Sequence, residues 1–217
     1  MNTHSKFPFL VPTTVLVLLS LMAFGCQLYS QATPTPVAVY PLSCLTGTWR
    51  VDTASYVGWM NAGPYKTPTV LFTKIDPPFY YKFNEDGTFA IYSENVGLYF
   101  DATDPTSGKS AGTFETVNTG VLKGTISALK PDPANPGISL MTFNISENSV
   151  KMIDLKFNGK SMVGTPPNNV PILESSFFTK VGYACQQEAL QLTPLAVGLP
   201  SQGYLLNRDT SWRPSTP

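Results

Sequence analysis

The chain has 217 residues, with 14 lysines and arginines against 14 aspartates and glutamates, 12% aromatic residues and only 13% charged ones. Balanced charge leaves no net field to gather nucleic acid, so no nucleic-acid partner is expected. A charge-poor, aromatic-rich composition fits a single β-rich domain with an aromatic core and argues against a disordered or coiled-coil chain.

The N-terminus predicts the compartment. Lys6 precedes an apolar run from Leu10 to Phe24, shorter than the ~20 residues a spanning helix needs, which is the pattern of a cleaved export signal over residues 1–25. The run ends in Met22-Ala23-Phe24-Gly25-Cys26. This resembles the bacterial lipobox, in which a small residue precedes a cysteine that is lipidated and becomes the mature N-terminus. The resemblance implies lipidation of Cys26 and an envelope lipoprotein anchored in the membrane. Ordinary cleavage nearby, giving a secreted protein, is the other reading, with Cys26 then an incidental signal-peptide cysteine. Residues 26–42 are polar and Pro/Thr-rich, as suits an extended tether. The β domain is expected over 43–210, followed by a disordered tail over 211–217.

With Cys26 assigned to the signal, Cys44 and Cys185 remain. In an oxidising compartment they are expected to pair, closing a long loop worth about 2–5 kcal/mol of stability. A free thiol is the competing reading, but no base accompanies it. The only histidine, His4, falls in the signal. The mature chain therefore lacks the usual Ser-His and Cys-His couples and the His/Cys sets of zinc sites. No catalytic residue, metal or cofactor is predicted, and the chain reads as a non-enzyme. Paired-carboxylate chemistry of the glycosidase type stays open in principle, but no pair is singled out. Glu94, Asp101 and Asp104 lack an EF-hand-like ligand spacing and read as a solvated loop.

Along the chain, short β-rich runs alternate with turn residues. Residues 47–52 form the first, with Trp49 and Val51 on one face by the two-residue period. Residues 53–63 place Tyr56, Trp59 and Met60 at three- and four-residue spacing after Thr53 as N-cap, and Gly63-Pro64 ends this single short helix. Strands follow at 69–74, 79–83 and 88–93, the last two joined by Asn84-Glu-Asp-Gly87, a tight-hairpin signal. Further strands are read at 96–100, 112–117 and 121–129, with a loop at 105–108. After the proline-rich loop at 130–137, residues 138–146 and 150–157 are read as a hairpin around Glu147-Asn148-Ser149. Asn158-Gly159 marks a turn and residues 165–169 a loop. Runs at 177–185, 189–193 and 204–208 close the series.

Three short markers carry a resemblance. Gly47-Thr48-Trp49 matches the Gly-x-Trp pattern on the first strand of lipocalins. Phe83-Asn-Glu-Asp-Gly-Thr-Phe89 resembles a hairpin common in bacterial lipocalin-like proteins, and Tyr183-Ala-Cys185 with Leu190-Gln-Leu192 is similar to their closing strands. The Thr-Asp-Tyr element of typical lipocalins is not recognisable, and Arg208 is the one match for the later arginine that packs over the first-strand tryptophan. The resemblance implies an all-β, antiparallel up-and-down barrel with one short helix after the first strand; a β-sandwich is the alternative. It further implies a small hydrophobic molecule held in the barrel. Tyr56, Trp59, Met60, Phe83, Phe89, Tyr99, Phe114 and Phe143 are the candidate ligand-binding residues, and Trp49 and Arg208 are structural. For each aromatic taken singly ordinary core is the stronger reading, and a barrel filled in this way would act as a structural or interaction protein of the cell envelope.

Overall fold

The computed structural model describes residues 41–63, 69–130, 138–162, 179–196 and 201–214. The export signal, Cys26, the tether up to residue 40, the loop at 165–169 and residues 177–178 lie outside the described residues. A 3-10 turn at Leu42–Leu45 leads into β1 (Gly47–Val51) and α1 (Thr53–Ala62). Then follow β2 (Val70–Asp76), β3 (Tyr80–Phe83), β4 (Thr88–Thr103), β5 (Ser110–Leu129), β6 (Ser139–Asn148), β7 (Lys151–Phe157), β8 (Lys160–Ser161), β9 (Val181–Cys185), β10 (Ala189–Pro194) and β11 (Tyr204–Arg208).

Eight strands, β1, β3, β4, β5, β6, β9, β10 and β11, pair antiparallel in chain order, and β11 returns to β1, closing an up-and-down barrel. The sandwich alternative fails at this seam, because the ladder Trp49↔Arg208, Arg50↔Asn207 and Val51↔Leu206 joins the first and last strands within one continuous sheet. The closed antiparallel barrel with one short helix is the architecture that the lipocalin resemblance implies.

The seam shows why the Gly-x-Trp pattern matters here. Trp49 is fully buried, its indole N–H donates to the Leu45 carbonyl at 2.6 Å, and the Arg208 guanidinium lies 4.2 Å from its ring centroid. Arg208 Nη1 donates to Thr46 O and Nε to Gln187 O, both at 3.2 Å. Gly47 takes φ +131°, and a Cβ there would stand 2.7 Å from Arg208 Nη1. Glycine is thus required twice over, by its dihedral and by the stacked guanidinium. Beside the seam, Cys44 and Cys185 form a disulfide with their Cα atoms 6.1 Å apart.

β4 and β5 outrun the barrel. Their far parts, residues 96–103 and 110–118, remain paired to each other beyond the rim. β2 adds to β4, β7 to β5 and β8 to β7, giving a five-stranded wing in the order β2-β4-β5-β7-β8. The strands leave the barrel at a bulge: Ser93 faces Gly120 and Val96 faces Asn118, with Asn95 at φ 54°. An extra residue on one strand of a pair increases the local twist and bends it. The runs 88–93 and 96–100 are therefore one strand, as are 112–117 and 121–129.

The hairpin expected between 138–146 and 150–157 is corrected: β6 and β7 pair successively with β5, not with each other. Ser149 makes the crossing. Its hydroxyl accepts from Val121 N and donates to Val121 O, both at 3.0 Å, and its carbonyl sits where a Cβ of Gly120 (φ +132°) would fall. Only glycine lets the connection pass this close.

The helix cap lies one residue before the expected one. Asp52, not Thr53, is the N-cap, accepting from Ser55 N at 2.8 Å. Both helix ends are tied down. Leu205 N donates to Ser55 Oγ at 2.9 Å, holding the first turn to β11. Near the other end the Asn61 side chain pairs with both Phe72 N and Phe72 O, at 2.8 and 2.7 Å, occupying the outer edge of β2 as a strand would. Of the segment 211–217 expected as a tail, residues 211–214 are described, and Trp212 stacks on Tyr80 with centroids 4.3 Å apart.

Two glycines should respond oppositely to alanine. Gly47→Ala should lower stability by roughly 1–3 kcal/mol, through the positive-φ strain and displacement of Arg208. Gly58→Ala, on the exposed side of α1 with nothing within 4 Å, should raise it by roughly 0.5–1 kcal/mol through helix propensity. Urea unfolding of the two variants checks the pair, and equal shifts of one sign would refute the account of the seam.

Candidate functional site

Six of the eight candidate binding residues lie in the buried core, five of them in one aromatic column. From the helix end it runs through Trp59, Tyr56, Phe79, Tyr81, Phe83, Phe143 and Phe89, with successive ring centroids 5.3, 5.0, 5.9, 6.0, 6.1 and 4.7 Å apart. Met60 lies in the same core, 2% exposed. Strand alternation aims the barrel residues inward, and the helix supplies Tyr56, Trp59 and Met60 from one face. Tyr204 joins the upper part, 4.8 Å from Tyr56 and 5.3 Å from Trp59. The helix therefore plugs the barrel with rings that continue the barrel's own packing.

Two phenols meet inside this column. The Tyr81 and Tyr204 hydroxyls are 2.8 Å apart, and each side chain is buried. Burial, foremost, pushes both phenols well above their ordinary value, because a phenolate there would lose its hydration.

The remaining two candidates, Phe114 and Tyr99, lie in the wing, on opposite faces. Phe114 belongs to a row that the register assembles across four strands: Phe72, Phe100, Phe114 and Phe157 stand opposite one another. Their centroids are 5.7, 5.4 and 4.8 Å apart, and the Phe100 and Phe114 rings are stacked at 8°. All four are half-buried. On β5, Phe114, Thr116, Asn118 and Leu122 share one side by the two-residue period, so the phenylalanine face is the outward continuation of the barrel interior. Between row and column lies a polar step, where Asn118 Nδ2 donates to Val96 O, Thr116 O and Thr116 Oγ1 at 3.1–3.3 Å.

Tyr99 faces the other way, in a row of Lys74, Tyr99, Glu115 and Lys156. The Lys74 ammonium sits 5.3 Å from the Tyr99 centroid, and Lys156 donates to Glu115 at 3.0 Å. Burial and then Glu115 hold the Tyr99 phenol above its ordinary value. This face is polar and internally paired. Of the acidic loop residues, Asp104 accepts from Thr106 N at 2.7 Å and shapes the β4–β5 turn, while Asp101 accepts from the Thr113 hydroxyl at 2.7 Å.

Sequence reading named Phe114 but missed Phe72, Phe100 and Phe157. Each lies on a strand that was recognised. What joins them is cross-strand register, set by the bulge at Phe72/Lys74 and the partner exchange along β5, and neither has a sequence signal.

The buried phenols give a pH prediction. A raised folded-state value means that the stabilisation is complete below about pH 10 and is lost as pH rises further, since unfolded phenols then release protons the folded ones keep. Denaturation midpoints measured from about pH 8 to 12 should fall on the alkaline side. The Tyr81→Phe/Tyr204→Phe double variant, which removes both hydrogen-bond partners together, should fall less steeply. Parallel curves would contradict the assignment.

Comparison with protein-family models, with curated proteins and with solved structures gave no match to this chain.

Proposed function

We propose that this chain is an exported, non-catalytic binding protein, anchored through Cys26, that takes a small hydrophobic molecule at the mouth of its barrel. The observation behind this reading is the row Phe72, Phe100, Phe114 and Phe157, a half-buried aromatic surface continuous with the interior side of the sheet. Small-molecule sites are mostly apolar and aromatic with a few polar groups nearby, and Thr116 and Asn118 supply those at the inner end of the row. Phenylalanine rings held in register lose little entropy when a ligand packs on them. The barrel serves as base rather than container, because the candidates expected to line its cavity pack on one another. The disulfide is compatible with export, as such bonds persist in oxidising compartments.

A second reading has its own support. The near-complete burial of Trp49, Tyr81, Tyr204, Phe79 and Phe83 favours a filled barrel acting as an interaction protein of the cell envelope.

Titration with a neutral apolar fluorophore such as N-phenyl-1-naphthylamine separates the two. The carrier reading expects saturable uptake, weakened roughly 10-fold by Phe114→Ala or Phe100→Ala, equivalent to about 1.4 kcal/mol, and unchanged by Glu115→Gln on the opposite face. Absence of uptake moves the assignment to the interaction protein. The anchor is checked by the intact mass of the chain recovered from bacterial membranes: a product starting at Cys26 with added acyl mass is expected, and an unmodified secreted product would remove the lipoprotein assignment.

A further inference from the structure

We propose that the groove on the outer face of the barrel–wing junction is a second binding site, and that it takes a neutral oligosaccharide. The groove has a volume of about 550 Å³ and is lined among others by Tyr92, Glu94, Thr119, Lys123, Glu147 and Ser149. It exists because the β4 bulge and Gly120 turn the long strands out of the barrel at this level. Tyr92, Val121 and Lys123 alternate with the inward Ile91 and Leu122, so the groove lies on the opposite side of the sheet from the phenylalanine row.

The platform is rigid. Tyr92 contacts Trp212 with centroids 5.0 Å apart, and Trp212 stacks on Tyr80 at 9°. Asp209 fixes the turn that presents Trp212, accepting from Ser211 N at 2.9 Å and Trp212 N at 3.1 Å. A ring braced in this way offers a flat face to the C–H side of a pyranose without losing further freedom.

The polar lining selects against charge. Lys123 donates to Glu147 at 3.0 Å, and both are about half exposed. An ionic ligand has to compete with Lys123 and Glu147 for one member of their ion pair. A neutral polyol can bond to both, its hydroxyls donating to the carboxylates and accepting from the ammonium and from the Thr119 hydroxyl. The volume falls within the ~300–1,000 Å³ of small-molecule sites, room for a short oligosaccharide.

The test is isothermal titration of the full chain with cellotriose, maltotriose and tri-N-acetylchitotriose. Saturable binding of at least one, with Kd of about 10⁻⁵–10⁻³ M, is expected. Tyr92→Ala should weaken it 10-fold or more, Tyr92→Phe should retain it, and the exposed variants Lys123→Met and Glu147→Gln should each weaken it several-fold without shifting the thermal midpoint. Phe114→Ala should leave it intact, which separates this site from the one at the barrel mouth. No binding up to about 10 mM, binding that survives Tyr92→Ala in a folded protein, or tighter binding of tri-galacturonate or chitosan trimer would each overturn the proposal.

Discussion

An up-and-down barrel pairs each strand with its neighbour in sequence at every position but one. The exception is the seam, where β1 must find β11 across the whole domain. The entropy of closing so long a loop must be met before any contact there contributes. In this protein the seam is gathered around the Arg208 guanidinium, which lies over the Trp49 ring. The guanidinium also donates to the turn before β1 and to the β9–β10 turn, so three chain segments meet on one planar group. The Cys44–Cys185 bond, spanning 141 residues, ties two of these segments covalently. Everything above the seam, the inward aim of the barrel residues and the position of the helix, follows from the register set there.

The wing is the second consequence. β4 and β5 run for 16 and 20 residues, more than the barrel wall uses, and remain paired to each other after the wall ends. Such an extension has two edges and needs protection. β2 and β7 flank the two long strands, and Asn61 from the helix occupies the outer edge of β2 at Phe72. The helix is thus pinned to β11 at its first turn and to the wing at its last. That double attachment fits a strut that also plugs the barrel, rather than a gate.

Much of this was legible in the sequence. Period-two alternation located the strands, Trp49 and Val51 were rightly placed inward, and the cysteine count gave the disulfide. The helix ends at Gly63, as read. What failed was information held between strands. The predicted runs end on either side of Asn95 and Gly120, yet here each of these residues takes a positive φ and bends a strand that continues. β6 and β7 read as a hairpin because a short polar turn separates them, and no local signal distinguishes a turn that folds back from one that carries the chain along a shared neighbour. The aromatic row failed for the same reason: its members are far apart in sequence and meet only once four registers are set.

The distribution of aromatic residues bears on where a ligand would sit. Replacing one buried aromatic ring by a void costs about 3–5 kcal/mol, and this barrel has placed Trp49, Tyr81, Phe83, Phe89, Phe143 and Tyr204 in its interior. An interior organised in this way contributes chiefly to stability and to a single fixed geometry. The rings that are half-buried instead stand on the wing, where the strands have left the closed wall and the interior side of the sheet opens. There a flat guest can pack without displacing a side chain from the column. The polar step at Thr116 and Asn118 then separates two kinds of packing on one continuous face: below it buried rings that hold the barrel, above it half-buried rings set in register.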